Sequence, residues 1–211
     1  IDRSIGSLIK AGIKDIVVVT GFRGEQLERH LEEQNYPAGV SVGRVRNEDW
    51  EKENGLSVYR AKDLAGDRFI LLMSDHIFDP EIITGLRQQT IEEDGLILAV
   101  DYRLADHPYV DLDDVTRVKV EENRIVNIGK GLAAYNAFDT GIFYATKGLF
   151  EALKESQKKA NNFTLSGGVR VLAARERARV MDIGNRFWID VDDEKAFRQA
   201  EDYLKSHGDP F

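Results

Sequence analysis

Three uninterrupted apolar runs constrain the fold of this chain more than any other feature. They are IVVV at 16–19, FILLM at 69–73 and LILAV at 96–100. Short continuous apolar runs are typical of strands that are buried on both faces of a sheet. Turns and segments of helical periodicity separate the runs, so the order is strand, turn, helix, strand. We therefore predict an α/β fold, in which helices flank both faces of a mostly parallel, mixed sheet in the Rossmann-like manner.

The middle of the chain departs from this order. VTRVKV at 115–120 and RIVNI at 124–128 are separated by the turn-like EEN. This pattern predicts a small antiparallel hairpin that is inserted into the fold. Because neither an internal repeat nor a linker interrupts the chain, we expect residues 1–211 to form one domain.

Charge and composition exclude several classes of function. The net charge of −8 argues against binding to nucleic acid, which requires a basic face. No apolar run approaches the roughly 20 residues of a membrane span, and no signal-peptide pattern is present. The absence of cysteine excludes thiolate catalysis and cysteine zinc sites, and it fits a cytoplasmic location. In so acidic a protein, phosphates bind only where a metal or a basic side chain reverses the local charge.

The first candidate for chemistry comes directly after the second apolar run. Ser74, Asp75 and His76 follow FILLM, and the carboxyl ends of parallel strands are where ligands gather. Asp79 and Pro80 form a natural start for the next helix, which leaves Asp75 without a capping role. The structural alternatives are a turn cap for Asp75 and a backbone hydrogen bond for His76. We predict that Asp75 is functional.

A second candidate lies in FWIDVDDE at 187–194. In a strand, Asp190 and Asp192 point to the same face, and Asp193 is the natural N-cap of the helix that follows. The pattern therefore gives Asp190 no capping role. Asp75 and Asp190, at the ends of two separate strands, suit a hard cation such as Mg²⁺ that also contacts substrate phosphates.

Two glycine-containing stretches are candidates for substrate binding. Lys130 lies between two glycines in NIGKGL, where it either approaches a phosphate closely or is an exposed turn residue. Asn54, Gly55 and Ser57 lie in NGLSV at a predicted helix start, where they either contact a base or a phosphate or, in the case of Asn54, cap the helix. Neither the phosphate-binding loop of ATPases nor the glycine pattern of dinucleotide-binding domains occurs in the chain.

Together these motifs resemble one known family. ENGLSVYRAKDL, FILLMSDHIFDP, NIGKGL, FDTGIFYAT and FWIDVDDEKAF occur in the order seen in nucleotidyltransferases of the sugar-1-phosphate pyrophosphorylase superfamily. The resemblance covers nearly the whole chain. MSDHIFDP followed by GLAAYNAFDTGIFYAT is most similar to CTP:inositol-1-phosphate cytidylyltransferases.

The resemblance implies a reaction and the residues that carry it. CTP and a phosphorylated polyol, inositol 1-phosphate, would give CDP-inositol and pyrophosphate in phospholipid biosynthesis, with Mg²⁺ as the cofactor. Asp75 and Asp190 match the metal-binding aspartates, and Lys130 completes the catalytic set. The residues expected to bind nucleotide or acceptor are Asn54, Gly55, Ser57, Lys130 and Asp139.

The chain departs from the family pattern in one respect. The family opens with a strand and a glycine-rich loop that cradles the triphosphate, and we expect the 1–211 domain to lack both. Fusion to, or association with, a membrane-embedded transferase is a further expectation, which would place the domain at the inner face of the membrane. The alternatives are another sugar- or alcohol-phosphate nucleotidyltransferase, such as a choline-phosphate cytidylyltransferase, and a noncatalytic nucleotide-sensing subunit on the same fold.

Overall fold

The structure, a computed structural model, describes residues 1–105 and 107–207. Its helices are α1 (Asp2–Lys10), α2 (Gly24–Glu33), α3 (Asn54–Arg60), α4 (Glu81–Arg87), α5 (Gly148–Ala160), α6 (Leu165–Ala174) and α7 (Glu194–His207). Its strands are β1 (Asp15–Thr20), β2 (Ser41–Arg46), β3 (Arg68–Leu72), β4 (His76–Phe78), β5 (Leu96–Asp101), β6 (Arg117–Glu121), β7 (Arg124–Gly129), β8 (Ala137–Thr146), β9 (Ala178–Asp182) and β10 (Trp188–Asp190). No helix in these two ranges is both long enough and apolar enough to cross a membrane.

The largest sheet has six strands in the order β3-β8-β5-β9-β7-β6. Strands β3 and β5 are both antiparallel to β8, and β9 is parallel to β5, so β3, β5 and β9 run in one direction. The sheet is mixed, as predicted. The expectation of a mostly parallel sheet is wrong as far as the pairing of these neighbouring strands is concerned. Strand β8 lies between β3 and β5 and runs opposite to both, so both pairs are antiparallel.

Two smaller sheets accompany the large one. Strands β1 and β2 form a parallel pair. Strands β4 and β10 form a short antiparallel pair, in which His76 lies opposite Asp190 and Phe78 lies opposite Trp188. This second pair matters for function, because it brings together two segments that are more than a hundred residues apart in the chain.

Strand β5 shows how helices cover both faces of the sheet. All six of its residues are buried, and successive side chains point in opposite directions. Leu96, Leu98 and Val100 pack in a cluster with residues of α3, α5 and α6. Ile97 and Ala99 pack in another cluster, with residues of α4 and α1. The predicted arrangement of helices on both faces is confirmed.

Strand β3 is less buried than its sequence predicts. Its apolar residues Phe69 to Leu72 are only partly buried, although the continuous run predicts burial on both faces. Among the described residues, β3 pairs with β8 alone, so one edge of the strand has no strand neighbour. The open edge accounts for the remaining exposure.

The predicted hairpin is confirmed. Strands β6 and β7 pair antiparallel and form one edge of the large sheet. Glu122 and Asn123 connect them with φ angles of 47° and 62°. Two successive positive φ angles are the signature of the type I′ turn, whose twist matches that of the flanking strands.

Gly55 permits a close contact between α3 and the segment that precedes α6. A Cβ atom at position 55 would lie 2.1 Å from the carbonyl oxygen of Phe163 and 2.7 Å from Cδ2 of Leu153. At these distances neither the helix nor the facing backbone leaves room for a methyl group. The absence of a side chain at Gly55 therefore has a packing reason, which the sequence did not reveal.

We predict that Gly55→Ala destabilises the protein by about 1–3 kcal/mol, the usual cost of overpacking a well-filled site. Denaturant unfolding of this variant and of a control variant, each compared with the parent chain, measures the change in the free energy of unfolding. Gly6→Ala is the matched control, because a Cβ atom at Gly6 in α1 meets no atom within 4 Å. It should be neutral or should gain up to about 1 kcal/mol of helix propensity. Equal effects of the two substitutions would contradict this explanation.

Candidate active site

The ends of several strands open into one cavity of about 920 Å³. The turn between β3 and β4 contributes Asp75, β4 contributes His76, β8 contributes Asp139, and β10 contributes Asp190. Lys130, at the end of the hairpin, and Asn54, at the start of α3, line the same cavity. Most of the predicted site residues, although distant in the chain, are therefore brought together.

Asp75, His76 and Asp190 form the centre of the cavity wall. The Nδ1 atom of His76 lies 2.9 Å from Oδ1 of Asp75 and 3.7 Å from Oδ1 of Asp190. The backbone N–H of Val191 donates to the carbonyl of Asp75 at 3.0 Å, which extends the β4–β10 ladder by one bond. Asp75 is free for this position because Asp79 accepts the N–H of Glu81 at the start of α4, as the sequence predicted.

The imidazole of His76 contacts both a ring and a glycine. It stacks on Trp188 with ring centroids 6.1 Å apart and planes 12° apart. A Cβ atom at Gly141 would lie 2.7 Å from Nε2 of His76, and the φ of +72° also favours glycine there. Burial lowers the pKa of His76, but the nearby carboxylates of Asp75, Asp190 and Asp139 outweigh burial and raise it. The ring therefore offsets part of the negative charge around it.

Two carboxyl groups of this wall are hard to ionise. Burial raises the pKa of Asp139 to about 6, even though the N–H of Gly141 donates to its Oδ1 at 2.8 Å. Burial also raises the pKa of Asp190 to about 6, and the charges of Asp75, Asp192 and Asp114 act in the same direction. In contrast, the hydrogen bond from His76 lowers the pKa of Asp75. A cation bound beside Asp190 would stabilise its ionised carboxylate and so offset the cost of ionising it.

The donor set fits a divalent cation. Ligand atoms of Asp75, His76 and Asp190 all lie within 4.8 Å of one another, as do those of Asp114, Asp190 and Asp192. Asp190 belongs to both groups, and its Oδ1 is a buried oxygen that accepts no hydrogen bond from the described residues. A buried anionic oxygen without a partner is costly unless a cation binds it. Carboxylate oxygens are the ligands that hard cations prefer.

Lys130 reaches the acidic wall through Asp114. Its Nζ lies 2.6 Å from Oδ1 of Asp114, and the two side chains are 61% and 51% exposed. Asp114, Asp190 and Asp192 form one cluster of carboxylates. Lys130 therefore contacts this cluster through its ion pair with Asp114. The lysine is thus exposed, as one alternative predicted, and lies on the cavity wall, as the other required.

The residues of NGLSV divide between the cavity wall and the layer behind it. Asn54 lines the cavity, and its Oδ1 accepts the N–H of Leu165, the first residue of α6, rather than an N–H of its own helix. Gly55 faces Phe163, as described above. Ser57 accepts a hydrogen bond from Nδ2 of Asn47 at 3.0 Å. The contacts made by Gly55 and Ser57 are with the protein itself.

Sequence reasoning missed three parts of the wall. The first is the N-terminus of α6, which Thr164 caps and from which Ser166 lines the cavity. The second is the acidic segment 108–116, and the third is Lys195 at the start of α7. A capping threonine before small residues and the acidic stretch VDLDD were visible signals, but only tertiary contacts place them at this cavity. Asp193, as predicted, accepts the N–H of Ala196 and caps α7.

The chain is similar to known proteins over nearly its whole length. No protein-family model matches the chain. The "Bifunctional IPC transferase and DIPP synthase" of Aquifex aeolicus is 36% identical over 215 residues, which cover 99% of this chain and 46% of that protein. The protein of the same name from Rubrobacter xylanophilus is 32% identical, with coverage of 97% and 45%. The chain thus spans about half the length of these curated relatives.

A solved structure matches the fold. The inositol-1-phosphate CTP transferase from T. maritima superposes with a TM-score of 0.80 at 28% sequence identity, and the match covers 97% of this chain and 81% of that one. The α/β fold class is therefore confirmed. These similarities support the resemblance to the nucleotidyltransferase superfamily that the motifs indicated.

We predict that Asp139→Asn stabilises the protein at pH 8 in the absence of divalent metal. The pKa of Asp139 is raised from 3.8 to about 6, so the folded state binds its proton more tightly than the unfolded state. Stability is lost as pH rises from about 4 through about 6. Asparagine removes this loss, which corresponds to at most about 3 kcal/mol. Thermal melting between pH 4 and pH 8 measures the difference, which should vanish near pH 4.

Asp182→Asn is the matched control for this prediction. Asp182 accepts the N–H of Gly184 at 2.7 Å, in the same type of turn that Asp139 makes with Gly141, but its side chain is exposed. Its substitution should change stability by less than about 0.5 kcal/mol at both pH values. A stabilisation by Asp139→Asn that does not depend on pH would contradict the assigned cause.

Proposed function

We propose that this chain carries a Mg²⁺-dependent cytidylyltransferase site, which transfers a cytidylyl group from CTP to inositol 1-phosphate and releases pyrophosphate. The observation that carries the proposal is the close approach of Asp75 and Asp190 on the wall of the cavity, with a buried oxygen on Asp190 that accepts no hydrogen bond from the described residues. The name of the T. maritima structure supports the choice of CTP and inositol 1-phosphate.

The proposed reaction is an in-line displacement at the α-phosphorus of CTP. A phosphate oxygen of inositol 1-phosphate forms the new P–O bond, and the bond from the α-phosphorus to the bridging oxygen of pyrophosphate breaks. When bound by Asp75 and Asp190, Mg²⁺ would supply positive charge that the developing and leaving oxygens need. The protein contributes positioning and charge rather than a covalent intermediate.

The charge of the cavity makes a cation necessary. Eight aspartates and two lysines line it, so its wall repels phosphates. Lys130 and Lys195 alone cannot offset a triphosphate and a phosphomonoester. In the proposed site, Lys130 leaves Asp114 and binds the phosphate of the acceptor. Divalent cations held by the aspartates supply the remaining positive charge.

The substrate roles of the other predicted residues follow from where they lie. We assign Asn54 to the nucleotide, because it lines the cavity beside the N-terminus of α6. Gly55 and Ser57 act on the nucleotide indirectly, by setting how closely α3 approaches that helix. We assign Asp139 to the acceptor, since a carboxyl group that is protonated near pH 6 can donate or accept a hydrogen bond with a polyol hydroxyl.

The relatives suggest the fate of the product. Their printed names are bifunctional, and this chain covers less than half of each. We propose that a membrane-associated transferase, in the same polypeptide or in a partner, consumes the CDP-inositol. The nucleotidyltransferase domain would then work at the inner face of the membrane.

We predict that the full-length protein releases pyrophosphate only when CTP, inositol 1-phosphate and Mg²⁺ are all present. Asp75→Asn and Asp190→Asn should each lower kcat by about 100-fold or more, the scale on which loss of one preorganised electrostatic contact acts. Asp182→Asn, outside the cavity, should keep the rate within twofold. A coupled pyrophosphate assay gives the rates, and thermal melting confirms that each variant is folded.

A panel of acceptors separates the alternatives. Inositol 1-phosphate, choline phosphate and glucose 1-phosphate are compared at equal concentration, each with CTP and with UTP. Preference for choline phosphate or glucose 1-phosphate would replace inositol 1-phosphate as the acceptor while keeping the reaction. No pyrophosphate release with any acceptor, together with nucleotide binding by calorimetry, would favour the noncatalytic sensing subunit.

A further inference from the structure

A buried carboxylate outside the cavity connects the two sides of the site. Asp101 is the last residue of β5 and is completely buried. Its Oδ2 accepts hydrogen bonds from Nε1 of Trp188 at 2.7 Å and from Nε2 of His107 at 2.9 Å. Arg103 donates to both carboxylate oxygens through its guanidinium and to Oδ1 through its backbone N–H. The proposed mechanism gives this group no role.

One arm of the network supports the metal carboxylates. Trp188 opens β10, two residues before Asp190, and its ring stacks on His76. The hydrogen bond to Asp101 fixes the indole, so it also fixes the surface on which the imidazole rests. Arg103 strengthens this arm, because its Nη2 donates to the backbone carbonyl of Arg186, just before β10, at 2.8 Å.

The other arm supports the cavity wall formed by residues 108–116. His107 is buried, and its two nitrogens are both used: Nε2 faces Asp101, and Nδ1 accepts the N–H of Tyr109 at 3.3 Å. Because Nδ1 accepts the N–H of Tyr109, Nε2 is the nitrogen that donates to Asp101. The contacts of His107 thus fix the start of the segment that carries Asp114, the partner of Lys130.

We propose that Asp101 is a positioning residue that sets two parts of the site in register with each other. One is strand β10, which carries Asp190, and the other is the cavity wall of residues 108–116, which carries Asp114, the partner of Lys130. The inference rests on the proposed function only in naming what each side binds. A carboxylate is suited to this task, because it accepts several hydrogen bonds at once without donating any. Burial alone would raise the pKa of Asp101, but the hydrogen bonds from His107, Arg103 and Trp188 hold it well below its ordinary value. Asp101 is therefore an ionised acceptor for both arms.

Each arm can be cut separately by a substitution that keeps an aromatic ring. Trp188→Phe removes the indole N–H and retains a ring beside His76. His107→Phe removes both hydrogen bonds of the imidazole and retains a ring among Tyr109, Phe138 and Trp188. Asp101→Asn affects both arms, because an amide presents a donor where the carboxylate presented an acceptor. Tyr102→Phe, next to Asp101 and outside the network, is the control.

The two binding events are measured separately on the full-length protein. Electron paramagnetic resonance gives the affinity for Mn²⁺ alone, and calorimetry gives the affinity for inositol 1-phosphate in the presence of saturating Mg²⁺. Trp188→Phe should weaken Mn²⁺ binding by about tenfold, which is in the range of losses seen when a group that supports a metal ligand is removed. Its acceptor affinity should change less than twofold. His107→Phe should show the opposite pattern, Asp101→Asn should show both losses, and Tyr102→Phe should show neither.

A merely structural role predicts a different result. In that case all three network variants lower the melting temperature while Mn²⁺ and acceptor affinities change together or not at all, which would overturn the proposal. If Asp101→Asn does not fold, the opposite patterns of Trp188→Phe and His107→Phe still decide. If inositol 1-phosphate does not bind the parent protein, the proposed function fails. The same comparison is then made with the acceptor that the panel identifies. If the protein uses none of the acceptors in the panel, inorganic phosphate is the ligand instead.

Discussion

The antiparallel pairing of β4 with β10 is the interaction on which the site depends. Three residue pairs place His76 opposite Asp190 and so bring Asp75 beside a second carboxylate. Two carboxylates this close repel each other by up to a few kcal/mol when neither is neutralised. Phe78, Trp188 and Ile189 lie on the same short ladder and are almost completely buried. Each contributes about 1.5–3 kcal/mol or more through burial, so packing of the ladder offsets the repulsion it creates.

The sequence predicted what depends on local pattern. The antiparallel hairpin, the capping roles of Asp79 and Asp193 and the availability of Asp75 all follow from a few adjacent residues. The sequence did not predict that β8 returns between β3 and β5, because nothing local in an apolar ten-residue strand specifies its neighbours. The contact of Gly55 with Phe163 depends on two segments that meet only in the folded protein, so it was also beyond local pattern. The resemblance to a family indicated which residues would meet, and the fold brings most of them to one cavity.

Without a bound cation, ionising the carboxyl groups of the site costs free energy. Asp139 and Asp190 both have a pKa near 6, and the cause in each case is burial first. His76 relieves part of this cost, but Oδ1 of Asp190 still has no hydrogen-bond donor among the described residues. Such a cost is typical of functional sites, where a strained or uncompensated group becomes favourable when its ligand binds. The rest of the core, with both faces of β5 filled, tolerates it.

The ion pair of Lys130 with Asp114 links the two proposed binding events. It is exposed, and exposed pairs contribute only about 0–1 kcal/mol, so a phosphate can take the lysine at little cost. Once Lys130 leaves, the charge of Asp114 is no longer neutralised, and it lies within the acidic group of Asp190 and Asp192. That group then attracts a divalent cation more strongly than before. Because coupling between two binding sites is reciprocal, a bound cation in turn releases Lys130 for the acceptor phosphate. One surface ion pair thus favours joint occupancy of the site over occupancy by either ligand alone.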